Sequence, residues 1–429
     1  MYSSILSSAR QKALISLSTI FVSLTSWSQI SLTDDETVVN EDYNLRFGEL
    51  YVDFAGSVTA SFDSNVNYRS GEEKENGTAI VPGIETSVFW ALSPYVTLDA
   101  GANIRYRNYL DGDGNDSLLI EGRDGGNSAD LDLEFLLGDD SLFTFSNSLS
   151  GNSDTFSRTI NSREAINDNY TAYFYSGMLD YAQRITPYTR LNLGLFRNYS
   201  WTEQDDLSFN DYTEDGVEAR INSQIRDDMT LGVKASASKV DYEDSLRNEF
   251  DLLFVGLEFS TTTEAGAIFT GTVGAQNIDV DIANDPLSTD DGGWFPSADV
   301  QLTFNVGQFV SHEIGVFSGA GAASSIALSQ DLTQFSYPNF AESYGGSYAL
   351  DYLITENMVL RFSYEYNRVE ESDAGLEYKD HRLELGTSVD TFEQGSVFVS
   401  FQYQNRFDAN VENAGFVRYL LNGGLQFEF

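Results

Sequence analysis

Two histidines, His312 and His381, are the only imidazoles in 429 residues, so general-base chemistry has few places to reside. Ser311-His312-Glu313 sets a hydroxyl, an imidazole and a carboxylate side by side in sequence. Adjacent residues of an extended strand point to opposite faces, so these three cannot form a relay by themselves. His312 shares its alternation with Val310, Ile314 and Val316, which predicts a structural or interfacial side chain rather than a catalytic one. There is no cysteine, and no phosphate loop, zinc-ligand spacing or dinucleotide motif occurs. Asp111-Gly-Asp-Gly-Asn-Asp116 alternates oxygen ligands with glycine, as calcium loops do, but lacks the distal glutamate at the expected spacing. It therefore reads as a solvated loop. Asp290-Asp291-Gly292-Gly293 is weaker still, and Glu72, Glu73 and Glu75 read as a plain charged loop. No enzyme activity and no cofactor is expected; loop-bound divalent cations are the one inorganic partner the acidic loops allow.

The charges that do show a pattern recur every second residue. Asp99, Arg105 and Arg107 share one alternation, as do Asp130, Asp132 and Glu134, and as do Arg382 and Glu384. A period of two places each set on one face of a strand. The partner positions are mostly apolar, so two different solvents are implied for the two faces. Against lipid, Arg or Lys at the bilayer midplane would cost roughly 2–4 kcal/mol apiece, whereas facing a wet lumen it would cost little. These eight residues are expected to face a lumen, either keeping it hydrated or forming a selectivity ring.

The elements that would carry them are strands throughout. Val417, Tyr419, Leu421, Gly423, Leu425, Phe427 and Phe429 share one face of the last stretch; Arg418, Asn422, Gln426 and Glu428 share the other, with Leu420 as the exception. A strand so apolar on one face, ending on a terminal aromatic, is either the last strand of a soluble sandwich or the closing strand of a membrane barrel. Alternating runs predict strands near 58–68, 80–92, 96–106, 128–137, 142–150, 168–183, 188–199, 214–226, 229–241, 248–260 and 265–276. Further strands are predicted near 296–305, 309–319, 341–354, 357–368, 380–390, 395–406 and 416–429. Short turns such as Ser93-Pro94, Thr186-Pro187, Asp227-Asp228 and Glu356-Asn357 alternate with long Asp/Asn/Gly/Ser-rich stretches such as 109–127, 151–167 and 277–295. Tight hairpins on one side and long loops on the other are the habit of outer-membrane barrels, and a sandwich has no reason for that two-beat rhythm. The expected fold is all-β: a transmembrane, antiparallel, up-and-down outer-membrane β-barrel of about 18 strands, with 16 as the alternative.

Composition fits that reading. Arg10 and Lys12 precede an apolar run from Ala13 to Leu24, and Ser26 and Ser28 flank Trp27, so residues 1–28 read as a signal peptide cut near Ser28–Gln29. Residues 29–54 read as a periplasmic lead-in, within which 45–54 form either an additional strand or a segment lining the barrel mouth, and 55–429 read as the barrel. The net charge of −42 repels phosphates and argues against nucleic acid. Tyr and Phe number 24 and 30, which suits aromatic belts at bilayer interfaces. Expected partners are outer-membrane lipid and lipopolysaccharide, the barrel-assembly machinery that reads Tyr419, Leu425, Phe427 and Phe429 as an insertion signal, and polysaccharide or small polar solutes.

One further signal lies in the first 120 residues. Asp63-Ser64-Asn65-Val66, the Pro82-Gly83 opening and the Tyr-Arg-Asn-Tyr-Leu run from Tyr106 to Leu110 resemble the type-two β-barrel porin family, which includes barrels found beside exopolysaccharide and exosortase systems. Beyond that region the resemblance extends only to barrel architecture. It implies a cell outer-membrane porin passing polar solutes or glycans, or an accessory to exopolysaccharide export. In that context Asp63 and Asn65 are expected to serve a turn or cap more than a ligand. Two other readings stay open: a non-conducting surface barrel whose acidic loops bind cations or glycans, and an outer-membrane hydrolase, which the histidine placement disfavours.

Overall fold

The computed structural model describes residues 45–66, 75–111, 117–121, 129–152, 172–202, 211–243, 249–280, 292–322, 327–328, 335–336, 340–371, 377–392, 395–408 and 416–428. Residues 1–44, the centre of the 111–116 loop, 290–291 and Phe429 lie outside them. The wall is built from β1 (Leu50–Asp63), β2 (Gly77–Ser93), β3 (Val96–Asp111), β4 (Ala129–Leu136), β5 (Ser141–Asn152) and β6 (Ala172–Thr186). It continues through β7 (Thr189–Thr202), β8 (Tyr212–Arg226), β9 (Met229–Tyr242), β10 (Phe250–Thr262), β11 (Ile268–Val280) and β12 (Gly292–Val306). It ends with β13 (Val310–Ala322), β14 (Phe340–Thr355), β15 (Met358–Glu371), β16 (Glu377–Phe392), β17 (Gly395–Asp408) and β18 (Phe416–Glu428). Each strand pairs antiparallel with the next, and β1 pairs with β18 from Ala55↔Glu428 to Asp63↔Leu420. The ladder is therefore a closed ring of 18 strands, not 16.

Two short strands extend the ring. Leu45–Phe47 folds back on the start of β1 through Gly48, whose φ of 68° lies in the region open to glycine. Ser117–Glu121 pairs with the outer half of β3, above the end of β4.

Three placements differ from the sequence expectation. The first strand runs Leu50–Asp63 rather than 58–68, so Leu50–Phe54 are strand residues of the wall, continuous with Val58. Leu-Tyr-Val-Asp-Phe alternates cleanly; the small residues Ala55 and Gly56 hide its continuity with Val58. At the other end, Asp63 Oδ1 accepts the Asn65 N–H at 3.0 Å and turns the chain out of the ladder. Pro82, expected to open β2, sits inside it; the β2–β3 register skips from Ile80↔Asn108 to Gly83↔Arg105 around it. Pro296 likewise lies inside β12, in a stretch paired to β11 but not yet to β13.

The two faces separate as sharply as the pattern requires. Val58, Ile84, Leu195, Val217, Leu257, Val316, Val399 and Leu421 stand outward and about half exposed around the ring. Thr59, Ser61, Asp63, Asp180, Glu218, Asp380, Gln402 and Arg418 stand inward and buried. In water, so broad an exposed apolar band would be a liability. In a bilayer it is the required surface. Strand lengths run mostly from the 13 residues of β18 to the 17 of β2. At about 3.3 Å per residue and a tilt near 40°, even 13 residues rise about 30 Å, enough to clear an apolar band of about 25 Å.

Short hairpins close one rim, and several carry the same irregularity: the register shifts at Ala91/Ser93, Arg184/Thr186, Gln224/Arg226, Leu353/Thr355 and Asp390/Phe392. Such bulges sharpen the twist where the chain reverses.

Leu421 lies outward and mid-height on β18, beside inward Asn422. Leu421→Arg should destabilise the barrel by about 2–4 kcal/mol in denaturant titrations in lipid vesicles, and Asn422→Arg by much less. Equal costs would contradict the facing assigned here.

Candidate functional site: the charged lumen wall

The site is the inward face itself, built by the period of two and by register across strands. On β3 and β4, Asp99 lies directly opposite Asp132, Glu134 opposite Thr97 and Asp130 opposite Gly101. Thr97 Oγ1 lies 3.4 Å from Glu134 Oε2. Arg105 and Arg107 continue the β3 face toward the outer end, opposite Leu119 and Ser117. Arg105 leans across β2 at Gly83: a Cβ there would meet Arg105 Cγ at 2.7 Å and Ser57 Oγ at 2.7 Å, so glycine leaves the room that the guanidinium stem occupies. Six of the eight residues singled out in the sequence thus share one sector. Arg382 and Glu384 stand apart on β16, with Arg382 Nη2 3.5 Å from Glu384 Oε2.

Register brings together other groups that the sequence does not announce. Arg406 forks onto Asp380, with Nε–Oδ1 at 2.9 Å and Nη2–Oδ2 at 2.7 Å, both side chains almost fully buried. Arg406 also lies over the Phe416 ring at 5.4 Å. Glu218 pairs with Arg220 and, at 3.1 Å, with Lys234. Asn192 donates to Asp180 at 3.1 Å. All of these are inward residues, so their face is legible from alternation, but their pairing requires the hairpin register.

Asp63 and Asn65 occupy the seam of the ring. Arg418 of β18 donates to Asp63 Oδ2 through Nε at 2.8 Å and Nη2 at 2.5 Å, with both side chains about 2% exposed. Asn65 Nδ2 donates to the Val417 carbonyl at 3.1 Å, and the Tyr419 N–H donates to Ser64 Oγ at 2.7 Å. These residues clasp the first strand to the last. On the same strand Tyr419, Leu425 and Phe427 face outward.

Both histidines belong to the outward face. His312 stacks on Phe304 with ring centres 4.7 Å apart, and its Nδ1 lies 3.0 Å from Tyr348 Oη. His381 Nδ1 lies 2.9 Å from Tyr364 Oη, beside Tyr366 and Phe407. Neither ring has a serine or carboxylate partner among its described contacts. With Tyr173, Trp201 and Tyr199, stacked at 5.2 Å steps near the outer end, they form parts of the aromatic belts.

Among the described residues, no group of three or more His, Cys, Asp or Glu side chains is arranged to hold a metal. Asp111, the first oxygen of the calcium-like loop, accepts the Thr78 N–H at 2.5 Å. Toward the outer mouth, Tyr212, Val240, Phe250, Leu252, Ile278 and Val280 turn an apolar cluster to the inside of β8–β11.

No family model matches the chain, and no curated protein matches it. Solved structures do. OccK2 (OpdF) of Pseudomonas aeruginosa is 11% identical with a TM-score of 0.49, covering 88% of this chain and 98% of its own. OpdK of the same organism is 12% identical at 0.46, covering 88% and 99%, and a BenF-like porin of Pseudomonas fluorescens Pf-5 is 10% identical at 0.46, covering 88% and 99%. These neighbours are outer-membrane barrels, and the likeness is one of outline. The assignment of this chain as a barrel rests on its own closed ladder.

Removing one partner of the seam pair leaves the other charge buried. Arg418→Ala should cost about 3–5 kcal/mol in equilibrium unfolding, and the Asp63→Ala/Arg418→Ala double variant less than the sum of the singles. Additive single costs below about 1 kcal/mol would show that the pair does not hold the seam.

Proposed function

We propose that this chain, exported through residues 1–28, forms a porin-like outer-membrane channel for polar solutes. The observation that carries this reading is the inward face. Around the ring it presents Asp, Glu, Arg, Ser, Thr, Asn and Gln side chains, while the opposite face is apolar. A protein whose only task was to sit in the membrane could fill its interior with apolar side chains; a hydrated, charged interior supports passage. The eight residues Asp99, Arg105, Arg107, Asp130, Asp132, Glu134, Arg382 and Glu384 would line that path. A glycan cargo, or a part in exopolysaccharide export, is the finer form of this reading. The uncharged hydroxyls and amides between the charges, such as Ser146, Ser148, Gln301 and Ser363, suit a hydroxyl-rich solute.

One observation favours a second reading, a barrel that does not conduct. The inward apolar cluster of Tyr212, Phe250 and Ile278 is buried at the outer mouth and could belong to a closure there. In this reading lipopolysaccharide, cations or surface glycans would be the partners of the acidic loops. A hydrolase reading has no support from the placement of His312 and His381.

Purified full-length protein in planar bilayers separates these. The channel reading expects discrete conductance steps that persist when His312 and His381 are replaced by phenylalanine. A membrane-inserted barrel with no steps would overturn it in favour of the closed surface barrel.

A further inference from the structure

We infer that the inner half of the lumen is a filter for cationic solutes, formed by two carboxylate groups that face each other across the ring. This rests on the channel reading and adds a solute class to it. The first group is Asp99, Asp132 and Glu134 on β3 and β4; the second is Asp299, Glu313 and Asp351 on β12, β13 and β14. In a ring of 18 strands, β12 is nine strands from β3 in either direction, and β13 nine from β4, so the groups stand on opposite walls. Most of both groups lies toward the short-hairpin rim: Asp99 and Glu134 are within a few residues of the β2–β3 and β4–β5 turns, Glu313 and Asp351 hold the same position beside theirs, and Asp299 stands above them at mid-height on β12.

Charge balance across the wall supports the assignment. From β10 to β14 the inward face of the described residues carries carboxylates and no basic side chain at all. Arg361, on β15, reaches this sector only at its edge, 3.7 Å from Asp351. On the other wall Arg184 reaches the turn residue Asp140 at 3.7 Å, Lys234 and Arg220 hold Glu218, and Arg105 and Arg107 stand farther toward the outer end of β3.

Two local features point to an occupant. Asp99 and Asp132 are direct cross-strand partners. Like charges so placed repel, and the fold accepts that cost where a mobile cation in the lumen can offset it. Beside them Thr144, inward on β5 and only 3% exposed, sits in register between Glu134 and Asp180, and its hydroxyl has no hydrogen-bond partner among the described residues. A buried hydroxyl is rarely left unpaired, and a hydrated cation held by these carboxylates would supply its partner. The overall charge of −42 adds a field that draws cations toward the pore.

The test is the reversal potential of the full-length protein in planar bilayers under a potassium chloride gradient. Wild type should pass potassium in preference to chloride. Asp132→Asn/Glu134→Gln and Asp299→Asn/Glu313→Gln should each lower the permeability ratio severalfold, and the combined variant should lower it further with conductance retained. The turn variant Glu356→Gln should leave the ratio unchanged. A wild-type ratio at or below unity, or a cation preference undiminished by all four neutralisations, overturns the filter while leaving the channel. An inserted protein without conductance overturns the channel reading, and the filter falls with it.

Discussion

The whole structure depends on joining its first strand to its last. A sheet in hydrocarbon cannot leave an edge, because each unpaired N–H or C=O there costs several kcal/mol and no water replaces the missing partner. Closure between β1 and β18 removes the edge, and it must do so in one register. A slip of one residue would exchange the faces along the whole seam, turning Arg418 toward lipid and Leu421 toward the lumen. The buried Asp63–Arg418 pair, with Asn65 and Ser64 reaching the β18 backbone, is matched only when Asp63 stands opposite Leu420. Buried ion pairs are poor sources of net stability but good selectors of register. This one lies where register matters most, between segments separated by the length of the chain.

Closure also divides the molecule between two solvents. Every second side chain faces outward into a band of Leu, Val, Ile and aromatic groups, bordered by belts that include both histidines. Every other one faces inward, where carboxylates outnumber basic residues and glycines such as Gly83 make room for long side chains lying along the wall. The same alternation that makes the strands sets the chemistry of the interior.

Most of the fold is therefore legible in the sequence, because period-two patterning and turn residues act locally. The final strand, the rhythm of short and long connections and the inward placement of Asp99, Arg105, Asp130, Asp132 and Glu134 all follow from it. What is not legible depends on register. A direct count across the Phe392–Gly395 hairpin would set Asp380 opposite Phe407; the bulge at Asp390/Phe392 moves it to Arg406 and creates the buried pair. Asp63 and Arg418 meet only through closure, which no local pattern encodes. The start of β1 was obscured by Ala55 and Gly56, and Pro82 is tolerated within β2 because the ladder to β3 opens around it. The opposition of the two carboxylate groups is likewise visible only once the strands are counted around a closed ring.

The central claim is that the two faces of this ring meet lipid and water. Because the chain has no cysteine, single cysteines can be placed without background at outward Leu421 and Leu425 and inward Asn422 and Gln426. Each would be labelled with a fluorophore in the membrane-inserted protein and quenched in turn by a lipid-bound and a water-soluble quencher. Lipid-phase quenching at 421 and 425, with aqueous quenching at 422 and 426, is the predicted result. Aqueous quenching at all four positions, or the same response on both faces, would contradict it.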